Sequence, residues 1–346
     1  MTDKSRAMMK LLLNTMLLSV MVLGVTACNQ SNQTSTTNTT NASSPTASTS
    51  TPTNNQSQTQ PATEKISIDT ATGKQQIAVN PKPIAVYDLT VLQNLSALEI
   101  PVQGLPNIPK PRAELLSLSA INTNSQPVGT LFEPNLEAIN ALKPQAVFIG
   151  SRMAEKGKAL AEIAPTYDLS INTQDVYQSS RQQITTLGNI FNKSELAKQR
   201  LGELDQAINT AKQAVANKGN GLMVMVNGNK LSVYGANSRF GYLHNTFGIP
   251  QATADIRESS HGQPISFEFI QKVNPDWLIV LDRASAIGQE GASAQTMLNN
   301  PLVQSTKAWQ NNHVIYLSAD SYLAFGGYYQ LLKDSKIVTD AFNKAK

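Results

Sequence analysis

The chain has 346 residues, with 28 basic and 24 acidic side chains, a formal charge of +4 and one cysteine. So mild and dispersed a charge excludes a nucleic-acid binder, and a lone cysteine excludes an internal disulfide.

The amino terminus has the form of an export signal. Lys4, Arg6 and Lys10 precede an apolar run from Leu11 to Val25. The run is short for a bilayer span and Asn14 interrupts it, so residues 1–27 read as a signal peptide. Val25-Thr26-Ala27-Cys28 resembles a bacterial lipobox, with small residues that admit a peptidase and a thiol, that of Cys28, to carry the lipid. Removing residues 1–27 leaves 25 basic and 23 acidic side chains, a charge near +2. Residues 28–63 are Ser, Thr, Asn, Gln and Pro with almost no large apolar side chain. Such a segment cannot bury enough surface to offset its ordering entropy, so it is expected to be a disordered tether.

The remaining chain, about 280 residues by the same division, is long enough for two α/β lobes with their own cores. Ile66–Asp69 and Gln76–Val79 flank Thr72-Gly73 and predict a hairpin. Ile84–Leu89 predicts a strand, and Val91–Leu98 a helix. Pro101–Leu105 and Val128–Leu131 predict short strands, Ser151–Ala164 a helix, Tyr167–Ser170 a strand and Val176–Phe191 a helix. Leu196, Leu201, Leu204, Ile208, Ala211 and Val215 then recur at mostly three- and four-residue steps. Ser194 is expected to cap this helix and Gly219 to end it, over a length of about 35 Å. The expected division is a first lobe at 64–190, a linking helix at 191–219 and a second lobe at 220–346. In the second lobe, Leu222–Val226 and Lys230–Tyr234 flank Asn227-Gly228-Asn229, a hairpin signal. Ser238-Arg239-Phe240-Gly241 opens a helix over Tyr242–Phe247, closed by Gly248. Ser259–Ile265 reads as loop, Val314–Leu317 as the last strand, Asp320–Tyr329 as loop, and a final helix runs to the carboxyl end.

Two segments repeat at an offset of 131 positions: NLEAINALKPQAVFIGSR from Asn135 and SFEFIQKVNPDWLIVLDR from Ser266. Glu137 matches Glu268, Ile139 matches Ile270, Pro144 matches Pro275 and Arg152 matches Arg283. Each copy predicts a short amphipathic helix, a proline stop, a buried strand (Ala146–Ile149, Trp277–Leu281) and an arginine past the strand's carboxyl end. Ligands of open α/β sheets bind at that end. Arg152, Arg239 and Arg283 therefore form a candidate anion site, since arginine stays charged and presents a planar fork of donors. A salt bridge, for example between Arg283 and Asp282, is the competing use of each. Glu137 and Glu268 are, on the residues alone, carboxylates that favour a helix N-terminus. His261 and Tyr322 are of the types that bind ferric iron, although their spacing alone does not join them. His244 and His313 read as structural or exposed, and three scattered histidines argue against a dedicated zinc or manganese site. There is no Gly-x-Ser-x-Gly elbow and no phosphate loop, so an enzyme such as a secreted hydrolase is the weaker reading.

Together, the lipobox, tether, two lobes and long helix resemble the substrate-binding lipoproteins of ABC importers of the helical-backbone class, over Lys65 to Lys346. Within it, Ser238-Arg239-Phe240-Gly241, Ser259-Ser260-His261-Gly262, Asp282-Arg283 and Tyr322-Leu323-Ala324 resemble the enterochelin-type ferric siderophore receptors. That resemblance implies two α/β lobes with central sheets joined by one backbone helix, and no enzymatic activity. It implies a ferric catecholate siderophore as transported ligand, no intrinsic cofactor, and Arg152, Arg239 and Arg283 around the anionic complex. It implies that His261 and Tyr322 complete the iron shell of a tetradentate siderophore. Glu137 and Glu268 would dock a two-fold ABC permease served by its ATPase, with the protein a monomer held by Cys28 on a bacterial membrane, facing the periplasm or the cell exterior. Phe325 and Gly327 depart from the family, where smaller or amide residues are expected. A hydroxamate siderophore, haem or cobalamin remain alternative ligands.

Overall fold

The computed structural model describes residues 64–345, apart from 109–117, 119, 122–123, 258 and 260. The signal peptide, Cys28, the tether and Ser260 of the histidine motif lie outside the described residues.

The chain opens with an antiparallel hairpin, β1 (Lys65–Thr70) and β2 (Gly73–Ala78), as its turn residues predict. β3 (Ile84–Val86) starts the first sheet and ends earlier than predicted. The reason is Asp88, whose carboxylate accepts from the N–H groups of Thr90 and Val91 and so starts helix α1 (Leu89–Ala97). β4 is only Gly104–Leu105, and β5 is Gln126–Pro127 rather than Val128–Leu131. Thr130 explains that shift. Its hydroxyl accepts from the N–H groups of Phe132 and Glu133, which turns the chain. Helix α2 (Leu136–Leu142) leads to β6 (Ala146–Ile149). The helix predicted over Ser151–Ala164 is broken into a 3₁₀ turn at Ala154–Lys156 and a short helix at Gly157–Ala161. β7 (Thr166–Asp168) follows, giving a parallel sheet of order β5-β4-β3-β6-β7.

Helix α3 (Val176–Ile190) precedes α4 (Ser194–Val215), the longest described helix at 22 residues or about 33 Å. Its predicted stripe is in the core: Leu201, Leu204, Ile208, Ala211 and Val215 are buried and Leu196 packs against them. Ser194 does not cap it. Its hydroxyl bonds to Asn189 Oδ1 at 2.8 Å, and the helix stops at Val215, ahead of the left-handed Asn217.

The second sheet begins with β8 (Gly221–Asn227) and β9 (Lys230–Tyr234), an antiparallel pair closed by Gly228-Asn229. A short helix at Tyr242–Asn245 follows. The segment read as loop at Ser259–Ile265 contains a strand, β10 (Gln263–Ile265), antiparallel to β9. Pro264 hides it in the sequence, yet proline is tolerated on an edge strand because no outward N–H is needed. Helix α5 (Phe267–Val273), β11 (Trp277–Asp282) and β12 (Val314–Tyr316) complete the order β10-β9-β8-β11-β12. The predicted loop at Asp320–Tyr329 holds one helical turn, α6 (Asp320–Leu323), and the final helix α7 (Tyr328–Lys344) starts within it.

The repeat is realised residue by residue. α2 and α5 end at Lys143 and Asn274, both left-handed at φ 49° and 47°, and a proline follows each. β6 and β11 take the same position, fourth in their sheets. Alternation along each strand separates two cores. Ala146 and Phe148, with Trp277, Ile279 and Leu281, face a central core that also holds α1, α3, α4 and α7. Val147 and Ile149 pack under α2 with Ile139, and Leu278 and Val280 pack under α5 with Ile270. The two sheets thus share one continuous apolar interior through the helices between them, while α2 and α5 cover opposite outer faces.

Candidate functional site

The carboxyl ends of both sheets feed one cleft of about 690 Å³, lined by Phe132, Arg152, Arg239, His261, Tyr322 and Phe325 among others. Arg152 lies past β6, and its guanidinium reaches the carbonyls of Tyr322 at 2.8 Å and Leu323 at 3.0 Å. Arg239 comes from the turn after β9 and donates to the same Tyr322 carbonyl. Its Cζ lies 4.3 Å from the Phe325 ring centroid and 4.7 Å from that of Tyr322, so the guanidinium is stacked between aromatic faces. Arg283, the first residue after β11, donates from Nε to the Tyr322 hydroxyl at 2.9 Å and from a terminal nitrogen to Asn227 at 3.1 Å. The three predicted arginines therefore converge on one residue, Tyr322. Arg283 does not line the cleft itself; it acts on it through the phenol.

Among the described residues, none of the three guanidiniums is in a salt bridge. Asp282 is used otherwise: it accepts from the N–H of Ser285 at 2.9 Å and of Ala294 at 2.7 Å, capping the turn that Arg283 begins. Burial and then the neighbouring Arg152 charge pull the Arg239 guanidinium down to about 10. Its Nε is buried with no partner among the described residues. The Asp88 carboxyl feels the Arg152 charge but is already bonded by the N–H groups of Thr90 and Val91, so two like charges with an unmet donor still make a site that an anion would relieve.

Local sequence explains the positions. In Ser238-Arg239-Phe240-Gly241 the Ser238 hydroxyl donates to the Gly235 carbonyl and accepts from the Phe240 N–H, forming the turn that projects Arg239. A Cβ at Gly241 would fall 2.0 Å from the Ala236 carbonyl oxygen, so no larger residue fits. Gly262, beside His261, has φ +76°, and a Cβ there would lie 2.7 Å from the Tyr234 ring. His261 is exposed at the cleft, bonded through its backbone N–H to Ser259. His244 is buried, as one of its two predicted settings, with Nδ1 2.8 Å from the Ile249 carbonyl; His313 stacks on Trp277.

Glu137 and Glu268 are both exposed, in the first turns of α2 and α5 on the outer faces of the two sheets. The Ser266 hydroxyl holds the Glu268 carboxyl below its ordinary range.

Residues 84–321 match the family model for periplasmic binding proteins. The chain belongs to the periplasmic binding protein family. It is 37% identical over 271 residues to the petrobactin-binding protein YclQ of Bacillus subtilis, covering 77% of this chain and 84% of YclQ. It is 31% identical to the ferric-anguibactin-binding protein FatB of Vibrio anguillarum, covering 76% and 83%. The crystal structure of the catecholate-siderophore binding protein VctP of Vibrio cholerae superposes with a TM-score of 0.75 at 27% identity, covering 80% of this chain and all of VctP. The fold is accordingly the two-lobed, helix-linked α/β architecture of this periplasmic binding protein family. Among the described residues no helix is long and apolar enough to cross a membrane, and no cluster of three or more His, Cys, Asp or Glu could hold a metal.

This periplasmic binding protein also contains a buried polar frame that sequence reading missed. Asp334 on α7 accepts from the Tyr242 hydroxyl at 2.5 Å, the Ser321 hydroxyl at 2.9 Å and Gln330 at 2.6 Å. It thereby joins the segment after Arg239 to the segment of Tyr322. Gln93 and Asn94 of α1 accept from the N–H groups of Gln330 and Tyr328, and Thr90 and Ser180 donate to the carbonyls of Phe325 and Gly326. Gly327 is required here, since a Cβ would lie 2.3 Å from Gln93 Oε1. The available signal was the pair Gln93-Asn94 inside the apolar run of α1.

Burial pushes the Asp334 carboxyl up to about 6 from an ordinary 3.8, against the three donors that pull it down. A carboxyl raised on folding lowers stability where it is ionised, above pH 6, and that cost disappears as pH falls below its unfolded value. Asp334→Asn removes the titration and keeps the shape. Comparing denaturant unfolding of the two proteins, the difference in stability should move toward the variant by roughly 2–4 kcal/mol between pH 4 and pH 7. A difference that is constant with pH would show that Asp334 does not titrate in this window.

Proposed function

We propose that this chain is an extracytoplasmic solute-binding protein, without catalytic activity, that captures a ferric catecholate-type siderophore and delivers it to an ABC permease. One observation carries the reading: three guanidiniums, none in a salt bridge among the described residues, converge on Tyr322 at one cleft. A ferric tris-catecholate is a compact trianion with flat aromatic faces. The guanidiniums oppose its charge, and the aromatic rings of Phe132, Tyr322 and Phe325 in the cleft offer faces and edges to its catechols. The names of YclQ, FatB and VctP support the same ligand class. No intrinsic cofactor is part of this reading; the iron arrives and leaves with its chelator. Cys28 would carry the lipid and residues 28–63 the reach, holding a monomer outside a bacterial membrane.

Fluorescence-quench titration of the purified protein against ferric catecholates, ferric hydroxamates, haem and cobalamin tests it. Preferential binding of the catecholates is expected, and preferential binding of any other class refutes it.

Glu137 and Glu268 are proposed as docking points, one for each half of a two-fold permease dimer that works with its ATPase. They are exposed, equivalent in the repeat and not part of the cleft lining. Glu137→Ala with Glu268→Ala should leave siderophore affinity in solution unchanged and reduce iron uptake in cells severalfold, more than either alone. Normal uptake by the double variant would leave both as helix-end carboxylates and nothing more.

A further inference from the structure

The two lobes place different groups behind their matched arginines. In the second lobe Asn227 ends β8, the parallel neighbour of β11, and its neutral side-chain oxygen accepts from Arg283 at 3.1 Å. In the first lobe the residue just past the same end of β3, the parallel neighbour of β6, is a carboxylate, Asp88. Its Oδ1 caps α1, 2.9 Å from the Thr90 nitrogen and 3.0 Å from that of Val91. Its Oδ2 lies against the turn that leads from β6 to Arg152, because a Cβ at Gly150 would fall 2.2 Å from it. The next two residues, Ser151 and Arg152, line the cleft. Asp88 therefore stands one step behind that lining. Burial raises its carboxyl above the ordinary range, and the Arg152 charge is the largest influence that opposes the rise.

We infer that Asp88 is a specificity-determining residue that sets how much negative charge the cleft accepts in its ligand. Capping α1 does not call for a charge at this position, since Asn and Ser cap helices as well as Asp does. The charge has a consequence of its own at the cleft. Guanidiniums attract a ligand in proportion to its negative charge, and a fixed carboxylate behind them repels it in the same proportion. Asp88 thus costs a trianion most and a monoanion least. It acts without taking hydrogen bonds from the site, because the Arg152 guanidinium stays on the carbonyls of Tyr322 and Leu323. Tied to α1 through Oδ1, the carboxylate is held back from the cleft, where it would otherwise compete with the ligand for a guanidinium. The result is a cleft that selects anions and still holds a highly charged one loosely enough to hand it on. The same charge also favours the α1 N-terminus, an effect on stability that melting curves read separately from affinity.

This inference rests on the reading of the cleft as a site for anionic iron chelates, and two chelates of equal denticity and unequal charge separate the two. A ferric tris-catecholate is a trianion; a hexadentate ferric chelate with one catecholate and two hydroxamates is a monoanion. Asp88→Asn keeps the cap and removes the charge, and Asp88→Ser does the same with a smaller side chain. In fluorescence-quench titrations each variant should bind the trianion about tenfold more tightly than wild type does, and the monoanion about twofold more tightly. Equal factors for the two chelates would reduce Asp88 to a structural cap and overturn the inference while the cleft stands. Unchanged or weaker binding of the trianion by both variants would overturn it in the same way. Failure of wild type to bind either chelate would overturn both the inference and the reading beneath it.

Discussion

Arg239→Gln is expected to weaken binding of a ferric tris-catecholate by roughly 1–3 kcal/mol, about 5- to 150-fold, while leaving the unliganded protein close to wild-type stability. Two opposing effects set the stability outcome. The variant loses a bond to the Tyr322 carbonyl, but it also removes a buried charge that Arg152 repels. Arg152→Gln should show the same loss of affinity with a larger cost to stability, because Arg152 holds two carbonyls, of Tyr322 and Leu323, where Arg239 holds one. The arginines are thus not mere fixtures of an open cleft; they brace the segment that carries Tyr322. Arg283→Gln should act more weakly on the anion and chiefly through the phenol it supports. The losses are not expected to add, since the three share one partner. Titration against a ferric tris-catecholate, with thermal melting of each unliganded variant, reads both quantities. Wild-type affinity in all three variants would refute the anion cleft.

What the sequence disclosed depended on how each feature was encoded. The repeat was legible because helix, proline stop, buried strand and trailing arginine each leave a local mark, and each mark occurred twice; the left-handed Lys143 and Asn274 that end the helices were not read. α4 was legible because its apolar stripe has the helical period. β10 was not, because Pro264 is depleted from strands in general and allowed only by the edge position, which pairing with β9 determines. α6 is a single turn, too short for any periodicity to show. At the site, the repeat and the residue types singled out three arginines, but their common focus on Tyr322 depends on the approach of two sheets distant in sequence. Phe132 was missed altogether. It is 60% exposed at the cleft, and an exposed aromatic in a turn has no sequence pattern to distinguish it from a surface accident. Phe325 and Gly327, which departed from the family, have physical roles: one stacks on Arg239 and the other leaves room for Gln93.

Tyr322→Phe and His261→Ala are expected to discriminate between two kinds of iron chelate. A hexadentate tris-catecholate fills all six positions of the metal, so these side chains can only touch its outside. A tetradentate bis-catecholate leaves two positions open, and both residues line the cleft where it would bind. The Tyr322 oxygen receives one N–H, from Arg283, and as a phenolate it retains lone pairs for a metal. Its main-chain carbonyl, held by Arg152 and Arg239, fixes where that oxygen can go. His261 is exposed and, among the described residues, is bonded through its backbone N–H alone, which leaves its ring able to turn toward an incoming iron. Each substitution should therefore weaken the tetradentate complex by roughly 2–4 kcal/mol, the cost of a lost ligand beyond that of a hydrogen bond, and the hexadentate complex by less than about 1. The charge-transfer absorption and circular dichroism of the tetradentate complex should shift in the same variants, because its inner sphere changes. Arg283→Gln provides the internal control: it should loosen Tyr322 and reproduce part of the tetradentate loss without removing any iron ligand. Equal losses for both chelates with unchanged spectra would mean that His261 and Tyr322 line the cleft without binding iron.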